Sequence, residues 1–87
     1  MANKKTKATN QNVMELDDAV QKKIIEQYEL IRQSGLTNMF DWTNVKYIAD
    51  RIGYSELYNF IKDGMVNYKS ILRNFGALMK KFDIKQN

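Results

Sequence analysis

Apolar side chains recur every three or four residues along four stretches of this chain, with polar segments between them. The first series consists of Leu16, Val20, Ile24, Tyr28 and Ile31. This spacing predicts one buried face of an α-helix that runs to about Gln33. Asn12 followed by Glu15 resembles a capping box, so the helix is predicted to begin there. Gly35 is predicted to end it, because glycine adopts the left-handed C′ conformation without a Cβ clash.

A second helix is predicted after the short apolar connection at residues 36–40. Asp41 is a good N-cap residue, and Phe40 before it would pack on Val45 as a hydrophobic staple. The buried face of this helix is predicted to consist of Val45, Ile48, Ala49 and Ile52. Gly53 is predicted to stop it.

Two further helices complete the pattern. Ser55 is predicted to cap a short third helix, and Asp63-Gly64 to break or bend the chain after it. The inward residues of the third helix are predicted to be Leu57, Phe60 and Ile61. The fourth series consists of Tyr68, Ile71, Leu72, Phe75, Leu78 or Met79, and Phe82. Gly76 lies inside this series, where glycine costs about 1 kcal/mol of helix stability relative to Ala. It is predicted to mark a kink, an early stop or a close helix crossing.

These elements predict an all-α fold, a compact bundle of about four short helices with a helix-turn-helix-like corner. The single domain is expected over residues 13–83, followed by a short C-terminal tail at residues 84–87. Residues 1–12 are polar and lack periodicity, so a disordered basic tail is expected there. The chain has 87 residues. That is near the lower limit for a self-sufficient core, which leaves a homodimer open.

Composition removes several classes of function. There is no His and no Cys, so disulfides and thiolate metal sites are excluded. No apolar run approaches the roughly 18 residues that a membrane span needs, and no apolar segment follows the basic start as in a signal peptide. A reducing cytoplasm is therefore the expected location, without membrane association.

Catalytic chemistry is not indicated by any residue pattern. Three serines stand at turn or helix-surface positions without a recognisable base, namely Ser34, Ser55 and Ser70. The densest acidic cluster consists of Glu15, Asp17 and Asp18. It falls in the first turn of the first helix, where the helix dipole favours negative charge. We therefore expect no enzyme activity, no metal site and no cofactor.

A helix-turn-helix is one candidate binding element. The segment at residues 45–64, VKYIADRIGYSELYNFIKDG, resembles the IAxxxGYS…F segment of AraC-type DNA-binding domains. Its second helix would present Ser55, Tyr58, Asn59 and Lys62 to DNA. Glu56 opposes this interpretation, because a carboxylate at the entry repels phosphates. Any helix–glycine–helix corner also needs a small residue and a glycine, so a purely structural corner remains the alternative.

A protein interface is the other candidate. Net charge is +4, and residues 65–87 carry five basic residues against one acidic residue. Trp42 and Tyr47 fall outside the predicted buried face of the second helix, and exposed aromatic residues are typical of interfaces. The predicted protein-binding residues are Met39, Trp42, Tyr47, Lys69 and Arg73. The alternative is that Trp42 folds back on the first or last helix.

One block of sequence resembles a known family. Asn38-Met39-Phe40-Asp41, followed by Ile48-Ala49…Gly53-Tyr54…Glu56-Leu57, is similar to the pattern IRxxGxTNMFD…V…IAxxxGYxEL. That pattern is found in small proteins of unknown function from phages and prophages of Gram-positive bacteria. The resemblance implies a phage-type accessory protein in a bacterial host cytoplasm, and it transfers no activity. We expect a non-enzymatic protein that binds and modulates a host or phage protein, with DNA-binding transcriptional regulation as the alternative.

Overall fold

Four α-helices account for most of the chain in a computed structural model, which describes residues 11–85. They are α1 (Asp18–Ser34), α2 (Trp42–Ile52), α3 (Ser55–Ile61) and α4 (Met65–Lys81), preceded by a 3₁₀ turn at Val13–Glu15. The described residues contain no strand, so the predicted all-α class is confirmed. Residues 1–10 of the predicted tail, and residues 86–87, lie outside the described part of the chain.

The core lies where α3, the shortest helix, packs against each of the other three helices. Its fully buried aliphatic side chains are Val13, Ile24, Ile25, Ile31, Val45, Ala49, Leu57, Ile61, Ile71 and Leu78. Burying one such side chain stabilises the fold by about 1.5–3 kcal/mol relative to exposure. Most of the predicted inward residues supply the core, and α3 is held on three sides. Val20 is an exception, because it lies in the first turn of α1 and is exposed, whereas Ile25, outside the predicted series, is buried.

The start of the first helix differs from the prediction. Asn12 does act as a cap, because its Oδ1 accepts from the Met14 N–H at 2.8 Å, but it caps the 3₁₀ turn. The chain is extended at Leu16, and α1 begins at Asp18. The side-chain amide of Gln21 donates to the carbonyls of Met14 and Leu16 at 3.1 and 2.9 Å. These bonds satisfy the groups that a continuous helix would have paired.

The segments at both edges of the predicted domain also contact the helices. The Gln11 N–H donates to Asn67 Oδ1 at 2.7 Å, and the Val13 N–H donates to Ser70 Oγ at 3.0 Å. At the other end, the Ile84 N–H donates to the Met79 carbonyl at 2.9 Å. Contacts with the fold therefore extend slightly beyond the predicted boundaries at residues 13 and 83.

The predicted ends of α2 are confirmed, whereas Phe40 before the helix and Ile52 at its end are not buried as predicted. Asp41 Oδ1 accepts from the Asn44 N–H at 3.1 Å, and Gly53 ends the helix with φ +93°. The predicted staple is wrong, because Phe40 projects into solvent while Val45 is fully buried. Ile52 is half exposed rather than buried, since it lies in the last turn of α2.

The remaining predictions concern α3 and α4. Ser55 makes no cap hydrogen bond, because it is already the first residue of α3. Gln27 of α1 takes that role, since its Oε1 accepts from the Leu57 N–H at 2.9 Å. The break predicted at Asp63-Gly64 is confirmed, and α4 continues through Gly76 without interruption.

Candidate functional site

The connection between α1 and α2 exposes two large apolar side chains. Phe40 is 80% exposed and Leu36 is 63% exposed, more than any other large apolar residue in residues 11–85. Met39 is partly buried against the core. We name Leu36, Met39 and Phe40 the loop surface. Neighbouring exposed apolar side chains of this kind are typical of protein-interaction sites.

Local hydrogen bonds fix the backbone of this loop. The Asn38 carbonyl accepts from the Asp41 N–H, and Asn38 Oδ1 accepts from the Phe40 N–H, each at 2.9 Å. The Asn44 side-chain amide donates to Thr37 Oγ1 at 2.7 Å. Asn side chains in such turns replace backbone partners that a helix would otherwise supply. The backbone at Phe40 is therefore held in place while its side chain is exposed.

Two longer-range hydrogen bonds tie the loop region to α3 and α4. The buried Tyr68 hydroxyl of α4 donates to the Met39 carbonyl. The Trp42 indole N–H, at the start of α2, donates to the carbonyl of Ile61 at 2.8 Å. Ile61 is the last residue of α3, so the fold holds the loop at Met39 and again at Trp42, just after the loop surface.

The two aromatic residues predicted to bind a partner from α2 have different surroundings. Trp42 packs against the core, and the Lys46 Nζ lies 4.3 Å from its ring centroid. Tyr47 is 56% exposed, and the Arg51 guanidinium lies 5.8 Å from its ring centroid. Five residues separate the two, so they point about 140° apart around the helix axis. The structure therefore does not bring Trp42 and Tyr47 to one face.

The predicted basic residues of the interface lie on α4. Lys69 and Arg73 are both exposed, and neither forms an ion pair within residues 11–85. Lys69 follows Tyr68, whose hydroxyl holds Met39. Tyr68 is buried whereas Lys69 is exposed, so this bond attaches Met39 to α4 without placing it on the face that carries Lys69 and Arg73.

The alternative nucleic-acid residues share one face of α3. Ser55, Asn59 and Lys62 are exposed and Tyr58 is partly buried. Their steps of three and four residues place all four on the same side of a helix. Three of them line a shallow cavity of about 80 Å³ at the corner between α2 and α3. Its lining residues are Ala49, Asp50, Gly53, Ser55, Tyr58 and Asn59.

Negative charge surrounds this face of α3. Asp50 lines the corner cavity, and Lys62 Nζ lies 3.2 Å from Asp63 Oδ1. Glu56 Oε1 accepts from the Gln27 side-chain amide at 2.8 Å, and this bond lowers the pKa of the Glu56 carboxyl. Glu56 is therefore fixed in its charged form at the start of α3, where it disfavours phosphate.

One carboxylate is buried among the described residues, and its hydrogen bonds compensate for its burial. Glu29 is 2% exposed, and Arg32 donates to both of its oxygens at 2.7 Å. These bonds outweigh burial and hold the pKa of Glu29 below its ordinary value. The Arg32 guanidinium also lies 5.5 Å from the Phe75 ring centroid on α4. The group fastens α1 to α4, and both Glu29 oxygens are already engaged by Arg32.

Sequence reasoning missed Phe40 and Leu36 as surface residues. The staple assigned Phe40 to the core, and Leu36 was treated only as part of a connection. The signal was present nonetheless, because three large apolar residues occur within five positions of a short loop. Short interhelical loops are ordinarily polar.

Comparison with known proteins gives a family and no function. A family model described as a domain of unknown function, DUF5049, matches residues 20–72, which is more than half of the chain. The matched region contains the loop surface, α2 and α3. No curated protein and no solved structure matches.

None of the helices in residues 11–85 combines the length and apolar character that crossing a membrane requires. The same residues hold no group of three or more His, Cys, Asp or Glu placed to bind a metal ion.

Proposed function

The chain belongs to the DUF5049 family of domains of unknown function, and from that premise we propose that it binds another protein through the loop surface. The observation that carries this proposal is the exposure of Phe40. Its side chain is 80% exposed, and its backbone N–H is hydrogen-bonded to Asn38 Oδ1. An aromatic side chain has only two χ angles, so it loses little conformational entropy when a partner covers it. Such residues supply a large share of binding energy at protein interfaces.

The surroundings of Phe40 support a protein partner. Leu36 and Met39 extend the apolar surface, and α4, to which the Met39 carbonyl is bonded, carries the exposed cations Lys69 and Arg73. An apolar centre with a charged rim is the usual anatomy of a protein interface. Trp42 contributes by holding the start of α2 against α3. Tyr47 would contact only a partner large enough to reach the other side of α2.

The biological setting is part of the same proposal. The NMFD and IA…GY…EL residues resemble those of small phage and prophage proteins, which supports a phage-type accessory protein in the cytoplasm of a bacterial host. The absence of His and Cys from the sequence supports binding without catalysis. We propose that docking on a host or phage protein modulates that protein's activity.

Affinity capture with matched variants tests the loop surface. Wild-type protein, Phe40→Ala and Ile52→Ala are each immobilised and exposed to lysate of a Gram-positive host, and retained proteins are quantified by mass spectrometry. Ile52 is the control, because it is a half-exposed apolar residue of α2 outside the loop surface. The expected result is a protein retained by wild type and Ile52→Ala and lost with Phe40→Ala. Retention by Phe40→Ala at the wild-type level, or no specific protein at all, contradicts the proposal.

DNA reading by α3 is the second candidate function. It is favoured by the shared exposed side of Ser55, Tyr58, Asn59 and Lys62. A mobility-shift assay over a range of salt concentrations tests it, because phosphate contacts make affinity fall steeply as salt rises. Asn59→Ala should then weaken a sequence-specific complex, with Asn74→Ala on α4 as the control. An absence of binding at low salt excludes this candidate.

A further inference from the structure

The solvent face of α4 carries a row of three basic residues. Lys69, Arg73 and Lys80 are all exposed. At 3.6 residues per turn they lie within about 40° of one another around the helix axis. The sequence of α4, MVNYKSILRNFGALMKK, contains no acidic residue. We name these three residues the basic row.

The basic row differs from most of the other described cations in having no internal partner. Four cations outside it form salt bridges, namely Lys22, Arg32, Lys62 and Lys81. Lys46 and Arg51 lie over aromatic rings. Within residues 11–85, no salt bridge or ring contact involves a residue of the basic row. The positive charge of this face is therefore left uncompensated by the fold.

The neighbours of the basic row show what kind of surface fits it. Gly76 and Ala77 are exposed between Arg73 and Lys80, so little side-chain bulk prevents a partner from approaching the helix there. No aromatic residue of α4 is exposed, so the face offers no platform on which bases would stack. Met65 and Val66, at the end of α4 near the loop, are about half exposed and apolar. A mixed apolar and basic helix face of this kind suits an amphipathic acidic segment.

We propose that the partner presents an acidic helical segment that lies along α4, with carboxylates opposite Lys69, Arg73 and Lys80. This inference rests on the proposed function, because it names the chemistry of the partner that contacts the loop surface. The required spacing follows from the helix rise, about 6 Å between the first two cations and about 10 Å between the second and third. Apolar side chains of the segment would cover Met65 and Val66 beside the loop.

The ion pairs in this contact would be exposed to solvent, which determines how they affect affinity, association rate and salt dependence. An exposed ion pair adds little to affinity, so the basic row mainly orients the partner and speeds its association. The contact should weaken with salt, since the screening length falls from about 30 Å at 0.01 M to about 8 Å at 0.15 M.

A synthetic peptide tests the basic row directly. The probe is a fluorescein-labelled helical peptide with Glu at positions i, i+4 and i+11 and Leu before the first Glu. Its binding to the full chain is measured by fluorescence anisotropy at low and physiological salt. The variant K69E/R73E reverses two charges of the row, and the control K22E/K23E makes the same change on α1. The expected result is an affinity loss of about tenfold or more for K69E/R73E and about twofold or less for the control.

Four outcomes contradict this inference. Equal losses for the two double variants would show that only net charge matters. If the chain binds a 20-base-pair DNA duplex more tightly than the peptide, and K69E/R73E abolishes that binding, the face would be assigned to nucleic acid. In the capture experiment, retention of the partner by K69E/R73E but not by Phe40→Ala would refute the acidic segment and leave the loop surface standing. Retention by both variants would refute both proposals.

Discussion

Tyr68, buried in α4, donates its hydroxyl proton to the backbone carbonyl of Met39 in the loop between α1 and α2. The bond joins the fourth helix to the segment that displays Phe40. Burial raises the pKa of Tyr68 above its ordinary value, and the neighbouring Tyr28 raises it further. The hydroxyl therefore keeps its proton and remains a donor at any pH at which the protein is folded.

Removing this donor should loosen the loop. Tyr68→Phe leaves the Met39 carbonyl without its partner, and we expect the free energy of unfolding to fall by about 1–3 kcal/mol. Tyr47→Phe is the control, because its hydroxyl lies on the surface of α2, and it should change stability by less than about 0.5 kcal/mol. Urea unfolding of the two variants makes the comparison. Equal stabilities would mean that the Tyr68 bond does not hold the loop.

Phe40 should matter for binding and not for folding. Because its side chain is 80% exposed, Phe40→Ala should change the free energy of unfolding by less than about 0.5 kcal/mol. Phe60→Ala removes the same group from the core and should cost about 3–5 kcal/mol. Thermal unfolding separates the two cases. A large loss for Phe40→Ala would place Phe40 in the core and contradict the account of the loop.

Replacing Gly76 with alanine should stabilise the protein. Nothing lies within 4 Å of a Cβ built at this position, and α4 continues through it. Gly76→Ala should therefore stabilise the protein by about 1 kcal/mol, since alanine has the higher helix propensity. Gly53→Ala is the contrasting variant, and it should destabilise, because φ +93° is strained for any side chain. Denaturant midpoints that move in one direction for both would be inconsistent with this geometry.

Acid should weaken the contact between α1 and α4. Arg32 lowers the folded pKa of Glu29 below its ordinary value of 4.5. The unfolded chain therefore binds the proton more readily, so this contribution is complete above pH 4.5 and is lost as pH falls through the folded pKa. Glu29→Gln should be less stable than wild type at neutral pH, and the difference should shrink in acid. Unfolding curves that keep a constant difference between pH 7 and pH 3 would contradict this assignment.

The spacing of apolar residues and the capping residues are sufficient to predict the four helices and the all-α class. Asp41, Gly35 and Gly53 mark the ends of helices as predicted, because each acts through its own backbone or the next turn. The inward residues of α3 and α4 also follow from the spacing of three and four. These are local signals, and a single sequence contains them.

The errors arose where a distant residue decides the outcome. The cap of α3 comes from Gln27, which is 30 positions before Leu57 in the chain. The orientation of Phe40 depends on Asn38 and on the attachment of the loop to Tyr68. A staple pattern cannot reveal either partner, so the prediction buried Phe40.

Amide hydrogen exchange at Phe40 and Asp41 tests the central claim, that a rigid loop presents an exposed aromatic side chain. Both amides are hydrogen-bonded to Asn38, although the segment lies at the surface. We predict exchange at least about tenfold slower than in an unstructured peptide, and a loss of that protection in Tyr68→Phe. Exchange at the unstructured rate in the wild-type protein would contradict the account.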